Sequence, residues 1–227
     1  MASLLRRTFW LGLVLVPLAL TGCNLLSLPF FIFGPEPARE PELKQLAGED
    51  KKKDTKVLIL TYSKLSAKPE FVRVDRDLSE RLRAQLKAGF EYNKENVRIA
   101  VPRRIEEFKN ENPGWQTMDL DQVGKQFGAD YVVYLEIRDL SLYEQKSSNT
   151  LYRGRAEINV SLIDVNHPDE GPLRKDFVCQ YPSETRHAIP VEDISLEKFR
   201  NDFLNYAAKR LSWYFTRHPT SAEHDCE

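Results

Sequence analysis

Three cysteines, four histidines and 34 carboxylates are the side chains here with chemistry to offer, and their spacing decides how much of it is usable. His167, His187, His218 and His224 are scattered, and the last two share a polar tail with Cys226. A metal needs ligands held in a preorganised constellation, which a chain end does not supply, so no metal site is expected. No Gly-rich phosphate loop, Cys-x-x-Cys pair or His-Glu-x-x-His run occurs. No serine or cysteine stands in a nucleophile elbow or beside an evident base. Glu106 and Glu107 are neighbours that point apart on a helix, and Glu136 and Asp139 are spaced for opposite faces of a strand. Neither pair has acid–base geometry. These residues predict neither enzyme nor cofactor. Cys23 stands apart, because small residues lead directly into it at the end of an apolar run.

The elements around Cys23 explain that placement. Arg6 and Arg7 precede an uncharged apolar stretch at 9–19, FWLGLVLVPLA, and the segment closes on Leu20-Thr21-Gly22-Cys23. A basic start, an apolar middle and small terminal residues make 1–22 a secretion signal peptide. The closing tetrapeptide resembles the lipobox of bacterial lipoproteins, in which small side chains enter the signal peptidase and the thiol accepts a diacylglyceryl group. That resemblance implies that Cys23 begins the mature chain and carries the lipid, with a further acyl chain such as palmitate on the new amino terminus. Each buried methylene contributes about 0.8 kcal/mol, so two or three chains anchor firmly where one would not. In enterobacterial lipoproteins an Asp after the cysteine retains the protein at the inner membrane, so the resemblance, with Asn24 at that position, implies the periplasmic face of the outer membrane over the inner membrane. The alternative is an uncleaved transmembrane helix over 9–33, since apolar residues resume at 25–34. Pro17, Pro29 and the polar or small residues at 21–24 break up that span.

Without 1–22, the 33 basic residues lose two and stand at 31 against 34 acidic, a net charge of −3. Nothing in that balance calls for a nucleic-acid partner. Residues 23–55 read as a lipid-anchored tether, because 34–54 combine prolines and glycines with a late charge run. A globular domain is expected over 56–216, and a polar, frayed tail over 217–227. Strands are predicted at 57–62, 96–101, 130–143, 151–165 and 173–181, the long middle pair from strict alternation of apolar and polar residues. Helices are predicted at 75–90, where Leu78, Leu82, Leu86 and Phe90 share a stripe, at about 102–112, at 119–128, and from Ser195 to about 215. The fold class is α/β (α+β): one mixed sheet of about five strands with an antiparallel meander, and helices mainly on one face. Cys179 falls in a strand and reads as a buried thiol; a Cys179–Cys226 disulfide is the other reading.

The order of these elements, with LSERLRAQL at 78–86, GADYVVYLEIRDL at 128–140 and RGRAEINVSLIDV at 153–165, resembles one group of periplasmic α/β domains. Its members are the penicillin-binding-protein activator lipoproteins, the curli-secretion lipoproteins and the amino-terminal domain of the Tol translocation protein. The similarity spans about 56–215. The group shares no catalytic residues, so none is implied here. The loop at 145–150 is too short for a membrane-inserting hairpin of the curli type, and no propeller domain follows. An isolated domain on a tether is most similar to the activator arrangement.

One surface is expected to matter. Glu136, Arg138, Arg155 and Glu157 should project from neighbouring strands on the solvated side of the sheet. Cross-strand charge pairing is the simple reading, and docking of an envelope protein is the functional one. The sequence therefore predicts a non-catalytic, membrane-anchored binding, assembly or activator module for a cell-wall synthesis or secretion complex. Self-association through sheet edges is the alternative, and an unrecognised hydrolase the remaining one.

Overall fold

Strand β2 (Thr55–Ser63) is apolar on both faces, and a strand of that kind must be covered from both sides. The computed structural model describes residues 37–48, 54–65 and 68–224, and from Ala38 onward they form one compact unit. β2 pairs in parallel with β3 (Val97–Ile99) on one side and β4 (Tyr131–Tyr143) on the other. β4, β5 (Leu151–Asp164) and β6 (Leu173–Tyr181) form the expected antiparallel meander. β7 (Ile189–Pro190) adds a two-residue pairing to the start of β5. The main sheet is therefore open and six-stranded, one strand more than expected, with the order β3-β2-β4-β5-β6.

Helix α1 (Val74–Asn93) buries Val74, Leu78, Leu82, Leu86 and Phe90, the stripe read from four-residue spacing. It packs with α4 (Leu196–Ser212) over one face of the sheet, against Val57, Ile59, Val133 and Leu135. Gly154 of β5 lets α4 come down close, because a Cβ there would meet the Phe203 ring at 2.5 Å. The opposite face of β2 and β4 is covered as well. There Leu58, Leu60 and Val132 pack with Ile105 and Phe108 of α2 (Pro102–Glu111), Trp115, and Val123 of α3 (Leu120–Phe127). Helices mainly on one face is thus corrected to two on each, because β2 is apolar on both faces. Gly128 ends α3 in the left-handed conformation, as its position after the apolar stripe predicts.

Both ends of the domain differ from expectation. A strap at 38–46 lies on the body where a tether was read. Its β1 (Ala38–Arg39) pairs with β8 (His218–Pro219), and the amides of Glu42, Leu43, Lys44 and Leu46 donate to the carbonyls of Trp213, Tyr214 and Phe215. Leu46 is fully buried. Arg39, Glu40, Glu42 and Lys44 each meet an opposite charge, Glu223, Arg217, Lys175 and Asp164. Two leucines decide the docking, and a composition dominated by proline and charge hides them. The tail is likewise packed as far as α5 (Ser221–His224): His218 is buried, stacks on Trp213 at 4.4 Å and contacts Glu223 at 3.0 Å. Cys226 lies outside the described residues, as do Cys23 and the Leu20, Thr21 and Gly22 before it. Cys179 carries a free, buried thiol, the first of the two readings of that residue; the other, a disulfide to Cys226, involves a residue outside the described ones.

Candidate docking face of the sheet

The two helices behind β2 and β4 reach only the end of β5, near Ile163, so the rest of β5 and β6 stays open on that face. What lies on it depends on a bulge. Ile137 pairs with Ile158 and Asp139 with Glu157, which leaves Arg138 as an extra residue. A bulge of this kind shifts the alternation by one. Leu140 and Leu142 therefore return to the core, and Asp139 emerges on the side of Glu136, not opposite to it as simple alternation predicts.

Register then lays three rows across β4, β5 and β6: Glu136–Asn159–Asp176, Asp139–Glu157–Val178 and Ser141–Arg155–Gln180. Glu136, Arg155 and Glu157 thus share the face foreseen for them, with Arg138 exposed in the bulge beside them. The charge pairing foreseen among the four is absent. Arg155 reaches Glu144 at 3.4 Å, and Asn159 donates to Asp176 at 3.0 Å. The side chains of Glu136, Arg138, Asp139 and Glu157 form no ion pair or hydrogen bond with the other described residues. Two carboxylates directly opposite on paired strands repel, at roughly 0.2–1 kcal/mol. The third member of their row, Val178, is 69% exposed.

The walls of the face are firm. On the β2 side, Trp115 meets Tyr62 and Tyr134 edge-on, each at 6.2 Å between ring centres. Lys109 lies over the same indole at 5.1 Å and donates to the Thr61 carbonyl at 3.1 Å. Burial, with Glu136 and Tyr62 nearby, pushes the Tyr134 hydroxyl up to about 12, so it stays a neutral donor at the margin of the face. At the hairpin end, Arg153 is nearly buried and pairs with Glu144. It also donates to the carbonyls of Ser183 at 2.9 Å and Arg186 at 3.1 Å, which holds the segment after β6 in place. The β6 edge is braced from the opposite, helix-covered side, where Lys175 pairs with Glu42 of the strap at 2.6 Å and the Tyr214 hydroxyl donates to the Asp176 carbonyl at 3.2 Å.

Sequence reasoning passed over Arg153, Lys109 and the bulge. The first of the two arginines in β5, Arg153 beside Gly154, is the one signal that pointed toward any of them. Among the described residues, no cluster of histidine, cysteine and carboxylate groups could hold a metal ion. No described helix is long and apolar enough to cross a membrane.

No family model matches this chain, and no curated protein matches it. Solved structures do. A lipoprotein, GNA1162, from Neisseria meningitidis aligns at 11% identity with a TM-score of 0.43, over 70% of this chain and 98% of its own. A PelC dodecamer from Paraburkholderia phytofirmans aligns at 11% identity and a TM-score of 0.41, over 78% and 98%. Both likenesses are loose.

Proposed function

We propose that this protein is a lipid-anchored, non-catalytic module of the cell envelope that works by docking another envelope protein on the open half of its sheet. The row Asp139–Glu157–Val178 carries the reading. It places two unpaired like charges beside an exposed valine on a rigid, otherwise ordinary sheet, an arrangement that a partner bearing a cation and an apolar contact would relieve. The sequence around Leu20-Thr21-Gly22-Cys23 supports the anchor. Anchoring confines the domain to a thin layer beside the membrane and raises its effective concentration toward a partner there. A cell-wall synthesis or secretion complex is the proposed setting, on the periplasmic face of the outer membrane.

Site-specific photocrosslinking from position 157 in intact cells tests the docking role. Adducts with another envelope protein, lost in Val178→Lys, are the expected result. Adducts between copies of this chain alone would replace the reading with self-association, which the nine-residue edge strand β6 favours. Cys23→Ser should release the protein from membranes; retention as an integral protein would overturn the anchor.

A further inference from the structure

A cleft of about 290 Å³ lies at the far end of the sheet from the β4–β5 hairpin, between the start of α3, the end of β5 and the 168–174 loop. Its size sits at the small end of the roughly 300–1,000 Å³ typical of small-ligand sites. Leu120, Ile163, Pro168 and Pro172 give it apolar walls. Four charged side chains line it, and two of them are already engaged. Asp121 accepts from Gln122 at 2.9 Å and Lys125 at 3.1 Å. Asp164 accepts from the Asn166 amide at 3.1 Å and meets His167 at 3.3 Å and Lys44 at 3.4 Å.

Asp119 and Arg174 differ from these. Asp119 occupies the N-cap of α3, where an aspartate ordinarily accepts a hydrogen bond from the first helical turn. Its side chain makes no such bond. Neither Asp119 nor Arg174 has a side-chain hydrogen bond or ion pair with another described residue. One cleft therefore presents a free carboxylate and a free guanidinium beside an apolar wall.

We propose that this cleft binds a small zwitterion of the amino-acid or dipeptide class, with its ammonium on Asp119, its carboxylate on Arg174 and its side chain against Ile163 and Pro172. The guanidinium suits a carboxylate because its fork can donate two parallel bonds. Both charged groups are exposed, so affinity falls in the millimolar range. The site adjoins the docking face, because Arg174 stands two residues from Asp176 on β6, but it uses none of the residues of that face's three rows and does not rest on the anchor.

The test is an amide-resolved NMR titration of the full mature chain with the dipeptide leucyl-alanine. Saturable shifts at Leu120, Asp121, Ile163 and Gly171 are expected. Asp119→Asn and Arg174→Gln should each weaken binding about tenfold, the effect of one charge-assisted hydrogen bond. Asp121→Asn should not weaken it. N-acetylation of the dipeptide should reproduce the Asp119 effect, and carboxyl amidation the Arg174 effect. Since neither side chain holds the fold together, both variants should melt with the wild type. Equal binding of the doubly blocked dipeptide, shifts confined to other surfaces, or none at about 50 mM ligand would each overturn the proposal.

Discussion

Leu46→Ala is the sharpest probe of where this domain begins. Leu46 is fully buried and belongs to the larger core cluster together with Val57 and Phe90, although it stands in a stretch that composition marks as linker. Truncating a buried leucine removes its transfer energy and leaves a cavity, at about 2–5 kcal/mol in well-packed cores. The strap has few other holds of comparable strength. Its ion pairs are exposed, with side-chain accessibilities of 63% and 27% for Arg39–Glu223 and 69% and 45% for Glu40–Arg217. Pairs of that kind contribute about 0–1 kcal/mol each. The loss from Leu46→Ala should therefore fall at the low end, about 2–3 kcal/mol, because the strap can come away before the sheet does. For a domain of this size that is roughly 4–12 °C in Tm. Thermal unfolding followed by circular dichroism gives the shift. Hydrogen exchange gives the mechanism: the Glu42, Leu43, Lys44 and Leu46 amides should lose protection while those of β4 and β5 keep theirs. An unchanged Tm with unprotected strap amides in the wild type would refute the packing argument and restore a tether up to residue 55.

Two further outcomes follow from the ionisable groups. Burial alone would raise the Asp164 carboxyl, but hydrogen bonds from His167, the Asn166 amide and Lys44 together hold it below the usual carboxylate range. A group lowered on folding stabilises above its unfolded pKa, about 3.9, and that stabilisation is lost as pH falls through the folded value. Denaturant midpoints measured at pH 6 and pH 3 should therefore fall less in Asp164→Asn than in the wild type, and equal falls would contradict the assignment. Burial pushes the Cys179 thiol up to about 12. In a Cys226→Ser background, alkylation of Cys179 at pH 8 should proceed only with unfolding; rapid labelling of the folded protein would show the strand to be open there.

Much of the fold was legible because it rests on local pattern. The stripe Leu78, Leu82, Leu86 and Phe90 marked α1, and alternation through β4 and β5 marked the meander and the faces of Arg155 and Glu157. Asp139 was misplaced by one residue of bulge, since periodicity counts residues and a bulge changes the count without changing composition. The strap was misread for a related reason. Leu43 and Leu46 carry no periodic signal, and their partners, Trp213 to Phe215, lie more than 160 residues away in the chain.

From residue order alone came the expectation of a lipid on Cys23, the lack of a familiar catalytic motif and the succession of strands and helices, because each depends on neighbours within a few residues. The tertiary structure decided which charges stand alone. Arg155 found Glu144, Asp164 found Lys44, and the side chains of Asp139, Glu157, Asp119 and Arg174 were left without partners among the described residues. A side chain's freedom to bind something else depends on what the rest of the chain brings within about 4 Å of it, and only folding sets that distance.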